Sequence, residues 1–402
     1  MSAPDRILIA GGGVGGLSAA LALARKGWSV RVFEQAREFG AIGYGIQLGP
    51  NAFHMFEHLG VLDAVMEVAD LPVATQWHDA YTGEPVLRLD TGPGFRTRFG
   101  HPYIIIHRVD LHNVLLNACR NQDGIEFAPS SAVTRFDDHG DGVVVHTADG
   151  GLSEGIALIG ADGLRSRVRA QLLGEQEPNF IGWVAHRTIV PIDQVPAGVP
   201  RDIVGFWGGE GFHIVHYPLR HGTLFNVVTV FRTPTFMQKV DAATLRAELA
   251  ATYAKVHPAM KALIAITDFE WRGAVADRQP IRHWHNGNVV LLGDAAHPTL
   301  QSLAQGACMA LEDGVCLAAL IDIFRGDFPM AYRHFERERV ARTARVIFES
   351  RFMWTVLHPE NAVERDQVFR RFRAMKRDDV WDNMAWLYDG YDPPAALDVR
   401  VA

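Results

Sequence analysis

The sequence predicts an α/β protein in which a discontinuous domain of buried strands and helices is interrupted by an inserted, mainly antiparallel β-sheet domain and followed by a C-terminal helical segment. Three observations support this fold class. The strand ILIA (7–10), a run at helical spacing and the strand VRVFEQ (30–35) form a βαβ opening. The apolar runs 155–163 and 288–296 are typical of further buried strands of that domain. The segments between these runs alternate in polarity, as antiparallel strands do.

The chain has 402 residues, which exceeds one simple core because domains hold roughly 100–200 residues each. Turn signals such as GPG, GGEG and RHG, and the strand FNVVTVF, mark the inserted sheet. The predicted bounds are 1–71, 108–176 and 281–330 for the first domain, 72–107 and 177–280 for the sheet domain, and 331–402 for the helical region.

The composition, 48% apolar and 21% charged, is typical of a globular protein, and the net charge of −7 argues against nucleic-acid binding. The three cysteines lack the spacing of a metal site, and their number indicates a reducing compartment. No segment reaches the roughly 18 apolar residues of a membrane span, and the N-terminus lacks a signal-peptide pattern. We therefore expect a cytoplasmic protein without a structural metal.

Gly11, Gly13 and Gly16 form a G-x-G-x-x-G loop between the first strand and the first helix. The first glycine allows a tight turn, the second lets the backbone approach a pyrophosphate, and the third lets the helix pack on the strand. Glu34 ends the second strand, where a carboxylate accepts hydrogen bonds from a ribose. The combination predicts a dinucleotide site, and the alternative is a plain tight turn.

The chain carries one such loop, so two classes of protein remain open. The dinucleotide is either NAD, as in an NAD-dependent dehydrogenase, or FAD, with any nicotinamide binding transiently elsewhere.

Two further motifs decide between these classes. GADGLRSRVR (160–169) places Asp162 at one strand end, and GDAAHP (293–298) places Asp294 at another. With the glycine loop they stand in order across about 300 residues, and here the chain resembles the flavin-dependent aromatic hydroxylases, the single-component FAD monooxygenases. The resemblance covers nearly the whole chain and implies a Rossmann-like FAD-binding domain.

The resemblance assigns the GDAAHP turn to the flavin. It implies that Asp294 binds the ribitol chain and that Pro298 lies beside the reactive edge of the ring. The helix that opens at Gly306 and Ala307 would aim backbone N–H groups at the flavin N1–C2=O region. A helix N-terminus stabilises an anion, and reduced flavin is anionic there.

Three more residues match FAD contacts of the family. Asp162 would lie near the pyrophosphate and ribitol, Arg108 in HRVDLH would contact FAD, and Gln47 in GYGIQLGPN would lie along the flavin. The alternatives are a surface arginine that caps a helix and a glutamine that is merely polar surface.

The inserted sheet is expected to form one wall of a substrate pocket and to cover it. In GFHIVHYPLRHG, His213 and Tyr217 share one strand face, and His216 points the other way. Together with Tyr103 and Gln301, the first two residues resemble the pocket of 3-hydroxybenzoate 6-hydroxylases. The alternative for His213 is a satisfied histidine within the sheet.

The chemistry that follows from the resemblance is ring hydroxylation. NADH would reduce FAD, oxygen would form a C4a-hydroperoxide, and 3-hydroxybenzoate would become 2,5-dihydroxybenzoate. His213, with a pKa near neutral, would act as the general base, while Gln301 would orient the substrate and Tyr217 would hold it.

The carboxylate of the substrate has no assigned partner, and other substrates stay open. GWVAHR and IQLGPN also resemble 6-hydroxynicotinate 3-monooxygenases, and salicylate 1-hydroxylases share the three FAD motifs. NADH as reductant and a homodimer follow only from the resemblance.

Overall fold

The computed structural model describes residues 5–40, 43–174, 176–269 and 271–395. The strands are β1 (Arg6–Ala10), β2 (Ser29–Phe33), β3 (Gly45–Leu48), β4 (Ala69–Asp70), β5 (Ala74–Asp79), β6 (Pro85–Asp90), β7 (Ile104–His107), β8 (Ile125–Ala128), β9 (Val133–Asp138), β10 (Val143–Thr147), β11 (Leu152–Gly155), β12 (Ala157–Gly160), β13 (Asn179–Pro191), β14 (Val204–Gly209), β15 (Phe212–Leu219), β16 (Leu224–Arg232), β17 (Gly273–Asp277), β18 (His285–Asn286) and β19 (Val289–Leu291).

The helices alternate with these strands at first and then follow one another without interruption. They are α1 (Val14–Ala24), α2 (Asn51–Leu59), α3 (Leu62–Val68), α4 (Pro93–Phe99), α5 (Arg108–Arg120), α6 (Arg167–Leu173), α7 (Ala242–Thr252), α8 (Pro258–Ala265), α9 (Gly306–Ile323), α10 (Phe328–Leu357), α11 (Ala362–Ala374) and α12 (Arg377–Tyr388). The chain therefore ends in a helical segment, as predicted.

A six-stranded sheet of order β18-β19-β12-β1-β2-β8 forms the centre of the first domain. Its strands from β19 to β8 run parallel, and β1 lies between β12 and β2. The predicted return of 155–163 and 288–296 to the opening sheet is therefore confirmed. These strands read as continuous apolar runs because helices cover both faces of such a sheet.

A seven-stranded sheet of order β17-β13-β16-β15-β14-β5-β6 forms the inserted part. Neighbouring strands in this sheet pair antiparallel, except for β14 and β5, which pair parallel. The sheet is therefore mainly antiparallel, as predicted. Side chains alternate across its strands. One face therefore packs on the helices α7 and α8, while the other faces the first domain.

The segment 72–107 is shared between two sheets. β5 and β6 join the seven-stranded sheet, whereas β7 pairs with β3 and β4 in a separate three-stranded sheet. Another three-stranded sheet has the order β11-β10-β9. The predicted domain bounds stay a prediction, since sheet membership alone does not fix them.

The C-terminal helices pack on both parts of the protein. Trp354 of α10 contacts the ring of Trp183 in the seven-stranded sheet, and Trp381 of α12 contacts Phe95 and Phe99. Both tryptophans are buried, Trp354 against the sheet and Trp381 against the helix α4.

None of the described helices is long and apolar enough to span a membrane. Cys119, Cys308 and Cys316 are buried free thiols.

Candidate active site

The glycine loop has the geometry that the motif predicts. Gly11 adopts a positive φ of 106°, and a Cβ on it would lie 2.3 Å from the carbonyl oxygen of Ala161. A Cβ on Gly16 would lie 1.9 Å from the carbonyl oxygen of Gly11, so α1 can approach β1 only with glycine there. Gly13 differs, since a Cβ on it would meet nothing within 4 Å. The open side of the loop is thus at Gly13, where a pyrophosphate would lie.

Glu34 follows β2 and faces the loop. Its carboxylate accepts the backbone N–H of Gly12 at 3.0 Å and that of Ala36 at 2.9 Å. Glu34 also lines a cavity of about 710 Å³ together with Gly11 and Gly13. The carboxylate is therefore fixed at the position from which it could accept ribose hydroxyls.

Asp162 and Arg108 line the same cavity. The Asp162 carboxylate accepts the Ser166 hydroxyl and the N–H groups of Arg167 and Val168, at 2.7 and 3.2 Å for the two N–H groups. Burial raises the pKa of Asp162 above its ordinary value, and these donors partly offset the rise. Asp162 thus caps α6 in addition to facing the cavity, a structural role that the motif alone did not indicate.

The cavity also carries a concentration of positive charge. The guanidinium-bearing residues that line it are Arg108, Arg165, Arg167 and Arg278. Arginines and free backbone N–H groups are the donors that a pyrophosphate requires. The lining therefore fits the diphosphate and ribose of a dinucleotide.

The GDAAHP turn lies at the end of β19 and faces a second cavity. Asp294 is accessible from this cavity, and no donor among the described residues contacts its carboxylate. Burial among the surrounding protein atoms nevertheless raises the pKa of Asp294. Pro298 is buried, and its carbonyl accepts the backbone N–H of Arg278 at 3.4 Å. An unpartnered acceptor that faces a cavity fits the hydroxyls of a ribitol chain.

Asp313 of α9 holds this turn in place. It accepts the N–H of Gly293 at 3.0 Å, contacts Nε2 of His297 at 2.5 Å, and pairs with Arg339 at 2.8 Å. Burial by itself would raise the pKa of Asp313, but the charges of His297 and Arg339 outweigh it and lower the pKa to about 2. The turn is therefore fixed by an ion pair that the motif pattern did not reveal.

The first turn of α9 borders the same cavity. Gly306 and Ala307 line it beside Asp294 and Gln301. Ala304 adopts a left-handed φ of 54°, which turns the chain into the helix. The first N–H groups of a helix have no intrahelical acceptor, so they are available to a carbonyl or an anion in the cavity. This end of the cavity fits the flavin that the resemblance implies.

The second cavity has a volume of about 430 Å³ and extends from the turn to the seven-stranded sheet. His213, Val215 and Tyr217 all line it, so the predicted shared face of β15 is confirmed. His216 points to the opposite face, where its Nε2 accepts the indole N–H of Trp207 at 3.0 Å. Tyr103 and Gln301 line the cavity too, and the structure therefore brings all four predicted pocket residues together.

His213 is buried and wedged between aromatic rings. Its ring stacks on Phe206, with centroids 4.9 Å apart, and its Nδ1 lies 2.5 Å from Nε2 of His358. Burial holds the pKa of His213 well below its ordinary value, and the positive charge of Arg187 lowers it further. The expectation of a pKa near neutral is therefore wrong for the protein without substrate. The imidazole is neutral, which leaves one ring nitrogen free to accept a proton.

Tyr103 is hydrogen-bonded to Gln47, and Tyr217 packs against the strand that carries Gln47. The hydroxyl of Tyr103 donates to Oε1 of Gln47 at 2.7 Å. A Cβ on Gly45 would lie 2.4 Å from the ring of Tyr217, so β3 passes directly against that ring. Burial raises the pKa of both tyrosines, and Gln47 partly offsets the rise for Tyr217. Both phenols therefore stay protonated, and the hydroxyl of Tyr217 can donate into the cavity.

Arg187 of β13 is a cavity residue that the sequence did not identify. Its guanidinium donates to Oε1 of Gln301 at 2.7 Å, and it makes no ion pair with a described carboxylate. Burial lowers the pKa of Arg187, and the nearby Arg108 lowers it further. A desolvated cation without a counter-ion is a binding site for an anion. Strand alternation predicts that Arg187 and His186 point to opposite faces of the sheet. It does not predict which of the two faces lines the cavity.

Much of the cavity wall is apolar and comes from distant parts of the chain. Strands of the seven-stranded sheet contribute Trp77, Leu87, Leu89, Val204, Phe206, Val215 and Val228, and the C-terminal helices contribute Met353, Leu357, Met384 and Tyr388. Such a lining excludes water and suits an aromatic ring.

Comparison with known proteins identifies the family. An FAD binding domain family model matches residues 5–348. A 3-hydroxybenzoate 6-hydroxylase of Polaromonas naphthalenivorans (strain CJ2) is 43% identical over 382 residues, which cover 95% of each chain. One of Klebsiella oxytoca is 36% identical over 395 residues, 98% of this chain and 99% of the relative.

A solved structure of an FAD-binding protein is similar over nearly the whole chain. The Klebsiella pneumoniae HpxO complexed with FAD and uric acid is similar with a TM-score of 0.85 and 29% identity, over 95% of this chain and 96% of that one. The cavity lining, the family model and the relatives agree, which excludes the NAD-dependent dehydrogenase class. The chain belongs to the family of FAD-dependent aromatic hydroxylases and is a flavin monooxygenase that acts on an aromatic ring.

Proposed function

We propose that this monooxygenase hydroxylates 3-hydroxybenzoate at the ring carbon para to its hydroxyl and releases 2,5-dihydroxybenzoate. The balanced reaction consumes one NADH, one proton and one O₂ and yields NAD⁺ and water. The observation that carries the proposal is the pairing of an unpartnered cation, Arg187, with a neutral buried imidazole, His213, in one cavity lined by apolar side chains. The relatives named 3-hydroxybenzoate 6-hydroxylase support it.

FAD, when bound, supplies the electron transfer and the activation of oxygen. The residues proposed to hold it are Gly11, Gly13, Gly16, Glu34, Gln47, Arg108, Asp162, Asp294, Pro298, Gly306 and Ala307. All of them except Gly16 and Pro298 line one of the two cavities. Glu34 would accept ribose hydroxyls and Asp294 ribitol hydroxyls. The N–H groups of Gly306 and Ala307 would face the part of the ring that carries negative charge after reduction.

The carboxylate of the substrate would bind Arg187. A charge-assisted, bidentate pair with guanidinium fixes both position and orientation, and burial strengthens it. Gln301 accepts from Arg187 at 2.7 Å, so its amide N–H₂ group remains free to donate to the substrate. No carboxylate of the described residues pairs with this guanidinium, which makes an anionic substrate the matching occupant.

The phenol group of the substrate would lie against His213. The free ring nitrogen would take the phenol proton, because a phenolate is a far better nucleophile than a phenol. Tyr217 stays protonated and would donate a hydrogen bond to a substrate oxygen. Tyr103 donates to Gln47, so its oxygen would accept a hydrogen bond in the cavity. The apolar wall would keep water from the reacting atoms.

The experiment is product identification with the purified holoenzyme, NADH, air and 3-hydroxybenzoate. Formation of 2,5-dihydroxybenzoate in proportion to the NADH consumed supports the proposal. NADH consumption with hydrogen peroxide as the main product overturns the substrate assignment. Parallel reactions with salicylate and 6-hydroxynicotinate then identify which related ring the cavity accepts.

NADPH in place of NADH serves as the test of the reductant. NADH as reductant, the homodimer and the cytoplasmic location stay predictions. Light scattering of the holoenzyme tests the homodimer.

A further inference from the structure

The C-terminal end of α10 contacts His213. His358, which follows the last residue of α10, places Nε2 at 2.5 Å from Nδ1 of His213. Both histidines are nearly inaccessible to solvent, 5% and 3% exposed respectively. His358 itself does not line the cavity, so it can act on the reaction only through His213.

The second nitrogen of His358 fixes the direction of this hydrogen bond. Its Nδ1 lies 2.7 Å from the carbonyl oxygen of Trp354. A carbonyl only accepts, so Nδ1 of His358 carries the proton, and in the neutral ring Nε2 is then an acceptor. Burial lowers the pKa of His358 to about 3, which keeps that ring neutral. The proton between the two histidines therefore belongs to Nδ1 of His213.

The hydrogen bond at Nδ1 of His213 determines the protonation state of its other ring nitrogen, Nε2. A neutral imidazole carries a single N–H, so when Nδ1 is the donor, Nε2 holds the lone pair. The ring cannot turn to exchange the two nitrogens, because Phe206 stacks on it and Trp354 packs against it edge-on, with centroids 5.8 Å apart. The rings of Trp183 and Trp354 pack on His358 at 4.2 and 4.5 Å and hold that partner as well.

We propose that His358 is a positioning residue that accepts the Nδ1–H of His213 and so holds His213 in the one tautomer able to take a proton from a phenol. The carbonyl of Trp354, the imidazole of His358 and the imidazole of His213 form a directed chain that ends at the substrate. The base role of His213 rests on the proposed function, whereas the tautomer rests only on the two hydrogen bonds. A partner that fixes the tautomer of a catalytic histidine is a known requirement of general base catalysis.

The chain also matters after proton transfer. Once Nε2 of His213 has accepted the proton, both of its nitrogens are donors and the ring is a buried cation. The groups that face it are His358 from α10 and Arg187 from β13. Arg187 disfavours the cation, and the hydrogen bond to His358 is the contact that favours it. His358 therefore supports both protonation states of the base.

The test compares two substitutions of His358 in the holoenzyme. His358→Leu removes the acceptor and keeps an apolar side chain, whereas His358→Gln retains an amide oxygen that can accept the Nδ1–H. His216→Leu is the matched control. His216 lies on the same strand as His213, is also buried, and makes one hydrogen bond to Trp207 on the opposite face of the sheet. FAD content and the unfolding temperature report whether each variant is folded.

The first readout is the ¹⁵N spectrum of histidine-labelled holoenzyme, which distinguishes Nδ1–H from Nε2–H and needs no turnover. We expect His213 to carry its proton on Nδ1 in the unchanged protein and in His358→Gln, and to populate Nε2–H in His358→Leu. Should His358→Leu lose FAD, the comparison of the unchanged protein with His358→Gln still decides the matter. His213 protonated on Nε2 in the unchanged protein overturns the proposal.

The second readout is hydroxylation with the substrate identified above. His358→Leu should lose at least about tenfold in the rate of product formation and release more hydrogen peroxide per NADH, with His358→Gln between it and the unchanged protein. An equal loss in His216→Leu would indicate a merely structural effect and overturn the positioning role. If the unchanged protein does not hydroxylate 3-hydroxybenzoate, the proposed function fails, while the ¹⁵N tautomer still decides the assignment of His358.

Discussion

The two cavities of this protein are built in different ways. The cofactor cavity of about 710 Å³ has the glycine loop at Gly11 and Gly13 as one wall, with side chains of other segments around it. The aromatic cavity of about 430 Å³ is formed by side chains from the seven-stranded sheet, the GDAAHP turn and the C-terminal helices. A loop that binds through its backbone requires glycines at fixed spacing, so it is visible in the sequence as a motif. A site formed by converging side chains is visible only as scattered residues.

The charges differ as well. Four arginines line the cofactor cavity, Arg108, Arg165, Arg167 and Arg278. In the aromatic cavity the charged lining residues are Arg187 and Asp294, at different walls. A diphosphate requires many donors, while one aromatic carboxylate requires one desolvated cation. Substitutions that change one cavity at a time distinguish the role of the cofactor cavity from that of the aromatic cavity.

The largest effect is expected from His213→Ala. Removing the base should lower the rate of hydroxylation by about 10²- to 10⁴-fold, because proton transfer by a positioned side chain contributes that much. The FAD content should stay unchanged, since His213 is not among the residues proposed to hold FAD. Single-turnover product analysis measures the rate, with His216→Ala as the control on the same strand. Normal hydroxylation in His213→Ala would remove the base assignment.

Arg187→Met should act on substrate binding. We expect the KM for 3-hydroxybenzoate to rise by about 10- to 100-fold, the value of a lost charge-assisted hydrogen bond in a buried site. The matched comparison is 3-hydroxybenzyl alcohol, which lacks the carboxylate. Its binding should change little, and an equal loss for both compounds would show that Arg187 does not recognise the carboxylate.

Gly13→Ala should affect the cofactor cavity alone. A Cβ at this position meets no protein atom within 4 Å, so folding should be unaffected, but it would occupy the approach of the pyrophosphate. We expect FAD to bind about tenfold more weakly, which corresponds to about 1.4 kcal/mol. Flavin fluorescence titration measures this.

Gly16→Ala is the informative partner of that variant. Its Cβ would lie 1.9 Å from the carbonyl oxygen of Gly11, so the loss should be of folded protein, seen as a lower unfolding temperature even without FAD. If Gly13→Ala lowers the unfolding temperature as much as Gly16→Ala does, the open side of the loop has been misassigned.

The smallest effect is expected from pH. The pKa of His213 in the folded protein lies well below the ordinary 6.5, so the base stays neutral as the pH falls from 8 to 6.5. The acid limb of kcat/KM, which reports the free enzyme, should therefore begin below pH 6.5. A limb centred on pH 6.5 or above would contradict the buried, neutral imidazole.

The same pKa shifts determine how stability depends on pH. His213, His216, His186 and His358 have folded-state pKa values below those of the unfolded chain, the last three at about 3, 4 and 3 in the order His216, His186 and His358. The unfolded state then binds more protons below pH 6.5, so the free energy of unfolding should be level above pH 6.5 and fall below it. Chemical denaturation at several pH values measures this.

Much of the cofactor site could be predicted from the sequence because it depends on local geometry. The spacing of Gly11, Gly13 and Gly16 between a strand and a helix specifies a loop wherever it occurs, and Glu34 follows from the length of the βαβ unit. The strand alternation that places His213 and Tyr217 on one face is equally local. The return of β12 and β19 to the opening sheet followed from their buried character.

Only the tertiary structure decided which side chains meet in the aromatic cavity. Arg187, His358 and the wall residues of α10 and α12 lie far apart in the chain, and their local sequence does not show that they meet in one place. The low pKa of His213 depends on the same long-range packing, since burial by distant aromatic rings produces it. The sequence by itself determined the backbone-built cofactor loop and the fold class, because both follow from short-range periodicity and steric rules. The chemistry of the aromatic cavity was decided in three dimensions, because desolvation and hydrogen-bond direction depend on all the neighbours that a group acquires on folding.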